Sequence, residues 1–468
     1  MAWKDVQLDA DLLLNVADAS LRRDHSAIEN CYRNDVNGVT RFPGLKSTYT
    51  TSQGRQYLFA FRGDMFSVTS QGQVWRIGRD GSMTNVTGVV VAGPYRPVHA
   101  ITEDEIIFAK GSKLVRYAGA ATELLSADAP NGATHVVYFK GRVIADEPDS
   151  GRFYHSAPGL YREWDPLDVF TAESKSDNVN SIVVTPRNEL LLCGNRSIER
   201  WEAFASGSQP FFQRGTSPEG LLAPYTLTTT ADGNFGINES GEFVQFLDQY
   251  SVDISDRVQA GLAAITDWSD AWSDYIQYSG EKWYLVQAPN AENDFGTMGV
   301  TLVFDFRRKK WFQLYDWDAA SGLPTRWPGW SHLKIWGRHF VGGEGVIYEL
   351  KPSWRYNGAN VQRMRVLTAH YDEVGGEVEI QDSRIRLRRG LMDVNSAVIP
   401  QIFFRVNKDA QGLSGPVQKS LGAAGQTHQL IEFGALGIAN TFQFEFLITD
   451  DVPVDIVKME IDRVVLQM

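Results

Sequence analysis

Cysteine is nearly absent: Cys31 and Cys193 are the only two in 468 residues. They stand far apart and match neither a CxxC motif nor a metal-ligand spacing, so they read as two reduced, buried thiols of a chain that folds in a reducing cytosol. Long apolar runs are also missing. No stretch reaches the ~18 residues of a spanning helix, and residues 1–11 carry acidic side chains and no apolar h-region. Neither a signal peptide nor membrane insertion is therefore expected. Positive charge is in deficit: Lys+Arg is 45 against Asp+Glu 57, a net charge of −12. A protein that wraps DNA by neutralising phosphates is normally basic, so that class is disfavoured. Helical periodicity is scarce too. Residues 255–264 are the best candidate, with Ser255 as N-cap and Val258, Leu262 and Ile265 at helical spacing, and 11–19 is a weaker one.

What is abundant is aromatic and glycine: Trp 13, Tyr 17 and Phe 25 make 12% of the chain, beside 42 Gly. This combination favours strands and tight turns. Short alternating runs broken by Gly, Asp or Asn fill residues 55–350. They group into units of three or four strands, beginning with 57–61, 65–69 and 74–77. Further units start near residues 98, 135, 181, 225, 275 and 332. That makes about seven units, or six if one belongs to an insertion. Their spacing is close to the ~40–50 residues of propeller blades. One small twisted sheet cannot bury both faces alone, whereas radial packing buries each face on the next blade. Trp75, Tyr117, Tyr138, Trp201, Trp283, Trp311 and Trp336 are the expected fillers between blades. Stacked β-sandwiches are the alternative. The stretch 288–299 reads as a polar loop projecting from the disc. Residues 30–40 are a candidate strand for clasping the last blade.

The rhythm changes after Leu350. Residues 351–360 hold Pro352, Asn357 and Gly358 and read as a linker. Longer runs follow at 363–371, 377–388, 400–406, 441–449 and 457–466. The expected organisation is all-β: a β-propeller over residues 1–355, including an N-terminal closing segment, then a β-sandwich-like C-terminal domain over 356–468.

No catalytic, cofactor or metal site is expected. GxSxG, HExxH, Walker and EF-hand patterns are missing. The eight histidines, His25, His99, His135, His155, His332, His339, His370 and His428, are dispersed. His332 and His339 fall on separate strands of one hairpin and read as structural. Ser70–Trp75 (SQGQVW) only faintly echoes the Asp-box turn of propeller sialidases, and the WD40 signature is missing. One charge pattern stands out. Arg384, Arg386 and Arg388 alternate along one strand face with Arg389 at its end, preceded by Arg363 and Arg365. As an interface, this stripe would meet an acidic partner subunit or DNA phosphate. As structure, it would pair across strands with Glu377, Glu379 or other acids.

Segment 29–45, ENCYRNDVNGVTRFPGL, places an Asn-containing strand and a turn before RFPG opens the first blade. It resembles the start of the packaged-DNA stabilisation proteins of short-tailed phages, the tail hub or nozzle family. Segments 141–159 (GRVIADEPDSGRFYHSAPG), 180–202 (NSIVVTPRNELLLCGNRSIERWE) and 211–224, ending GLLAP, continue the resemblance in order. It implies a ring, typically of six copies, below the portal and its adaptor protein. Such a ring extends the DNA channel, retains the genome and carries the needle or plug and the tailspikes. It implies a virion-tail location after assembly in the host cytoplasm, and DNA that passes through the lumen without sequence-specific binding. An acidic lining would repel phosphate and let DNA slide. The alternative function is a carbohydrate-binding or glycoside-hydrolysing propeller, since a propeller channel can gather a carboxylate pair.

Overall fold

The computed structural model describes residues 3–8, 27–34, 38–172, 174–175, 177–204, 210–255, 258–263, 265–293, 296–373, 376–389, 399–423 and 425–467. The expected helix at 11–19, and His25, lie outside them.

Two-residue turns set the local structure. Arg62–Gly63, Lys140–Gly141, Ser279–Gly280 and Trp336–Gly337 each hold two successive positive φ values. That conformation matches the right-handed twist of the flanking strands and closes tight hairpins. Phe61 thus faces Asp64, Phe139 faces Arg142, Tyr278 faces Glu281 and Ile335 faces Arg338. Repetition of such hairpins builds four-stranded antiparallel units.

Four units stand as separate four-stranded sheets. They begin at Val98–Ile101, Val136–Phe139, Val179–Val184 and Thr228–Thr230. The other three expected units are not separate, because their edge strands run on into larger sheets. Gly44–Phe61 pairs with Glu344–Lys351 along its first half and with Asp64–Thr69 along its second, which fuses the last unit to the first. This strand clasps the ring, rather than residues 30–40. The sixth unit, from Trp272–Tyr278 to Lys310–Gln313, continues through Ala27–Glu29 into the C-terminal strands.

Separate apolar clusters lie between neighbouring units, except the sixth and seventh, whose contact belongs to the core shared with the C-terminal strands. Phe59, Phe66, Phe108 and Tyr117 fill the space between the first and second, and Phe139, Phe153, Trp201 and Phe211 that between the third and fourth. Burying each such side chain contributes about 1.5–3 kcal/mol. Of the expected fillers, Tyr117, Trp201, Trp283 and Trp311 are buried, whereas Trp75, Tyr138 and Trp336 are half-buried. The helix is shorter than expected, Gln259–Ala263. Its Val258, Leu262 and Ile265 are buried against the fifth and sixth units, as the spacing required. The Ser255 hydroxyl bonds the side chains of Asp253 and Gln259. The stretch 288–299 does not simply project. Ala291 is fully buried, and Asn293 Nδ2 donates to the Pro324 carbonyl at 3.3 Å.

The C-terminal strands form two facing sheets. One is built on Gly376–Arg389 paired with Val454–Gln467. The other carries Met364–Leu367, Thr441–Ile448 and Gln401–Lys408. Ile380, Ile385, Ile456 and Met459 from the first share one core with Phe404, Phe442, Phe444 and Phe446 from the second. Trp3–Val6, Cys31–Arg33 and Val39–Arg41 join the first of these sheets. The N-terminal segment expected to close the propeller thus pairs with the sixth unit through Glu29 and with the sandwich strands through residues 27–29 and 39–40. Its buried polar side chains bond both neighbours. Arg41 donates to the carbonyls of Gln362, Asp450 and Val452. Asn30 Nδ2 donates to the Arg363 carbonyl at 2.8 Å, while Asn30 Oδ1 accepts from Tyr315 N at 2.9 Å.

Trp201 lies edge-on to Phe153 at 5.4 Å, and its Nε1 donates to the buried Glu199 carboxylate at 2.8 Å. Trp201→Ala is expected to cost about 3–5 kcal/mol. Chemical denaturation checks this; an unchanged midpoint would show that the indole does not hold the third and fourth units together.

Candidate functional surfaces

The first strand of each unit lies innermost. Val98–Ile101 runs beside Val136–Phe139, Trp272–Tyr278 beside Ser331–Ile335, and Ser331–Ile335 beside Gly44–Phe61. Side chains at or just before the starts of these strands meet across the axis. Arg96, from the second unit, lies over the rings of Tyr57 at 4.7 Å and Trp272 at 4.8 Å. It also donates to the Trp330 carbonyl at 2.7 Å. Arg55 and Arg326 each lie 3.9 Å from the Trp330 ring, which requires opposite faces of the indole. His135, from the third unit, stacks on Tyr225 of the fifth at 5.2 Å. Arg96 is half-buried, and desolvation lowers its pKa, with Tyr57 and Asp274 opposing the shift.

Three carboxylates belong to this cluster: Asp270 pairs with Arg55 at 2.8 Å, and the other two are engaged by backbone. Asp146 accepts from Thr134 N at 2.8 Å and His135 N at 2.7 Å. Asp274 accepts from Tyr275 N at 2.7 Å and His332 N at 3.1 Å. Burial pushes Asp274 up to about 6. A glycosidase needs a carboxylate pair flanking an open cleft; here packed rings and a guanidinium occupy the axis. His332 Nε2 and His339 Nδ1 are 3.0 Å apart, a contact their hairpin positions did not foretell. Burial lowers both, His332 to about 3. Burial likewise raises the Cys31 and Cys193 thiols. Among the described residues, no group of three or more His, Cys, Asp or Glu side chains is arranged to hold a metal ion. No helix among them is long and apolar enough to cross a membrane.

The arginine stripe lies on the outer face of the sandwich. Arg384 and Arg386 both donate through Nε to Glu460, at 3.1 and 3.0 Å, and Arg388 bonds Asp455 at 2.8 Å. Their partners lie on the adjacent strand Val454–Gln467; Glu377 and Glu379 sit further along the arginines' own strand. Arg384 also stacks on Trp3 at 3.6 Å. The Arg386 and Arg388 side chains remain 52% and 58% exposed, so part of their hydrogen-bonding capacity faces solvent. Arg389 takes the last backbone position, opposite Val454, and its side chain lies outside the described residues. Arg365 and Arg363 are not part of this stripe. Arg365 bridges Glu29 and Glu445 at 2.7 Å each, and Arg363 stacks on Trp317. Both line a cleft of about 760 Å³ between the sixth unit and the sandwich.

Periodicity did not single out Arg96, Trp272 or Trp330. The signal that identifies them is phase: a large side chain at or just before the first strand of a unit, as also in His135 and Tyr225. That signal becomes readable only once each unit's first strand is known.

Inward-facing first strands, packed interblade clusters and a clasping strand define a β-propeller joined to a β-sandwich. Residues 29–354 match the phage-stabilisation family, described as bacteriophage P22 Gp10, beta-propeller, and the chain belongs to that family. It is a phage tail protein of the packaged-DNA-stabilising, tail-hub class. No curated protein sequence matches the chain. Solved structures that align include the computationally designed Ika8 protein, at 9% identity and TM-score 0.40, covering 66% of this chain and 99% of that one. Virginiamycin B lyase from Staphylococcus aureus aligns at 11% identity and TM-score 0.42, covering 66% of this chain and 98% of that one. Similarity at this level carries no argument about function.

Two outcomes are expected. Arg96→Ala removes the guanidinium that packs on Trp272 and Tyr57, so tryptophan emission shifts to the red and the melting temperature falls; an unchanged spectrum would show that Arg96 does not shield the indoles. Glu460 is a depressed carboxylate: burial alone would raise it, but hydrogen bonds from Lys458, Arg386 and Arg384 outweigh this and hold it at about 2. Its stabilising contribution is full above the unfolded value of about 4.3 and is lost as pH falls through about 2. Denaturation midpoints measured across that window should fall less steeply for Glu460→Gln than for wild type.

Proposed function

We propose that the protein is a non-enzymatic, ring-forming tail hub, with about six copies placed below the portal and its adaptor. It would extend the DNA channel, retain the packaged genome and provide attachment for the needle or plug and the tailspikes. Assembly would take place in the host cytoplasm. The observation that carries this reading is membership of the phage-stabilisation family across the whole propeller.

The axial cluster adds a geometric consequence. Arg96, His135, Tyr225, Trp272 and Trp330 meet across the axis of each propeller. DNA is therefore assigned to a lumen between copies, with each propeller forming part of the wall. The net charge of −12 suits such a wall, since a negative surface repels phosphate and lets the duplex slide. The propeller is assigned to residues 1–355 and the sandwich-like domain to 356–468, with strands Trp3–Val6, Cys31–Arg33 and Val39–Arg41 extending the sandwich by pairing.

Mass measurement and electron microscopy of the purified protein, alone and with portal–adaptor complexes, test the reading. A ring with a central lumen is expected. A strict monomer under both conditions would remove it, and hydrolysis or binding of a glycan by the monomer would favour the carbohydrate reading instead.

A further inference from the structure

The outer strand of the third unit, Leu160–Thr171, does not follow its neighbour evenly. Trp164 faces Ser156 and Val169 faces Tyr154, so residues 165–168 are surplus to the pairing and bulge outward. The bulge reads Asp165-Pro166-Leu167-Asp168. Asp165 Oδ1 accepts from Leu167 N at 2.9 Å, which ties the tip in place. Leu167 is 85% exposed, more than any other large apolar side chain among the described residues. It stands between two carboxylates. The basic side chain nearest Asp168 among the described residues is His155 at 3.9 Å, and burial lowers its pKa and favours the neutral ring.

A complementary hollow lies on the far side of the ring, in the cleft of about 760 Å³ where the sixth unit meets the sandwich. A cleft of this size falls within the range of about 300–1,000 Å³ in which proteins bury small ligands. Trp317, Leu323, Val361 and Leu413 supply apolar surface there. The Arg363 guanidinium stacks on Trp317 at 3.4 Å and makes no hydrogen bond or ion pair among the described residues. The other cleft arginines are satisfied: Arg365 by Glu29 and Glu445, and Arg405 by Glu445. Asp316 accepts from Asn360 at 3.0 Å, and Glu292 is exposed. Among the described residues, Arg363 is thus the cleft's one cation without a carboxylate.

The third and sixth units sit on opposite sides of the propeller, so the bulge and cleft of one chain cannot meet. They can meet only between copies. A contact of one patch with a different patch is head-to-tail, and such contacts close into rings when the rotation between copies is right.

We propose that the Leu167 tip of one copy seats in the junction cleft of the next, with Asp165 and Asp168 facing Arg363. This rests on the ring-forming reading above. Exposed apolar and acidic groups on one flank, and an apolar cleft with an unpaired guanidinium on the other, make the two surfaces complementary in shape class and charge.

Charge exchange tests it. Assembly of the full chain is followed by sedimentation velocity across a concentration series for wild type, Arg363→Glu, the double variant Asp165→Lys/Asp168→Lys, and the three changes combined. All altered side chains are exposed or partly so, and unchanged melting temperatures confirm that each variant is folded. Arg363→Glu and the double variant should each raise the half-assembly concentration about tenfold or more, as expected for loss of an anchoring arginine contact. The combined variant should recover most of that loss. In a second measurement, Leu167→Cys with Val361→Cys should give an intermolecular disulfide ladder, since Cys31 and Cys193 are buried. Wild type that assembles while the charge variants assemble equally well, or a combined variant that recovers nothing, overturns the contact and leaves the ring reading intact. Wild type that stays monomeric with and without portal–adaptor complexes removes both.

Discussion

A single strand carries the closure on which the rest of the molecule depends. Gly44–Phe61 is 18 residues long and pairs with the last unit before it pairs with the first. A propeller without such a strand leaves two blades joined only by side-chain contacts. With it, backbone hydrogen bonds bridge the ends of the repeat, and sliding the first blade against the last would break a continuous ladder. The residues just before this strand make the closure directional. Phe42 packs on Trp283 at 5.0 Å and on Phe312 at 6.0 Å. Any Cβ at position 44 would come within 2.3 Å of the Trp354 carbonyl. The RFPG stretch is thus where clasp, sixth blade and sandwich are held together.

The same arrangement explains why propeller and sandwich share sheets. Ala27–Glu29 lies between the sixth unit and Met364–Leu367, and Asn30 bonds both neighbours through its side chain. Asn30 adopts a left-handed conformation, φ 53°, which asparagine tolerates better than most residues. A buried polar side chain with both ends satisfied fixes an angle between two bodies more sharply than apolar packing, because each hydrogen bond constrains direction as well as distance.

Legibility differed along the chain for physical reasons. The second strands of most units were readable because they are buried on both faces and rich in Ile, Val, Leu and Phe, as in Ile106–Ala109 or Leu190–Gly194. The outer strands Met83–Asn85, Thr122–Leu124 and Ser251–Asp253 were not, since each is short and largely exposed and gains its strand conformation by pairing with a neighbour. The arginine stripe was visible as an alternation on one face. Its acidic partners Glu460 and Asp455 lie more than sixty residues away and became its neighbours only through the pairing of two 14-residue strands.

Local chemistry alone determined the all-β class, the repeat rhythm, the change of rhythm after Leu350 and the family resemblance. Turn geometry, alternation and short motifs are properties of neighbouring residues and need no distant partner. Tertiary structure alone decided which segment clasps the ring, the pairing of Trp3–Val6, Cys31–Arg33 and Val39–Arg41 with the sandwich strands, and the meeting of Arg96, His135, Tyr225, Trp272 and Trp330 at the axis. Each of these outcomes depends on competition among distant edges and side chains for the same partner. That competition is settled by which arrangement leaves the fewest buried polar groups unpaired and the least apolar surface exposed, a condition on the whole chain that no local window contains.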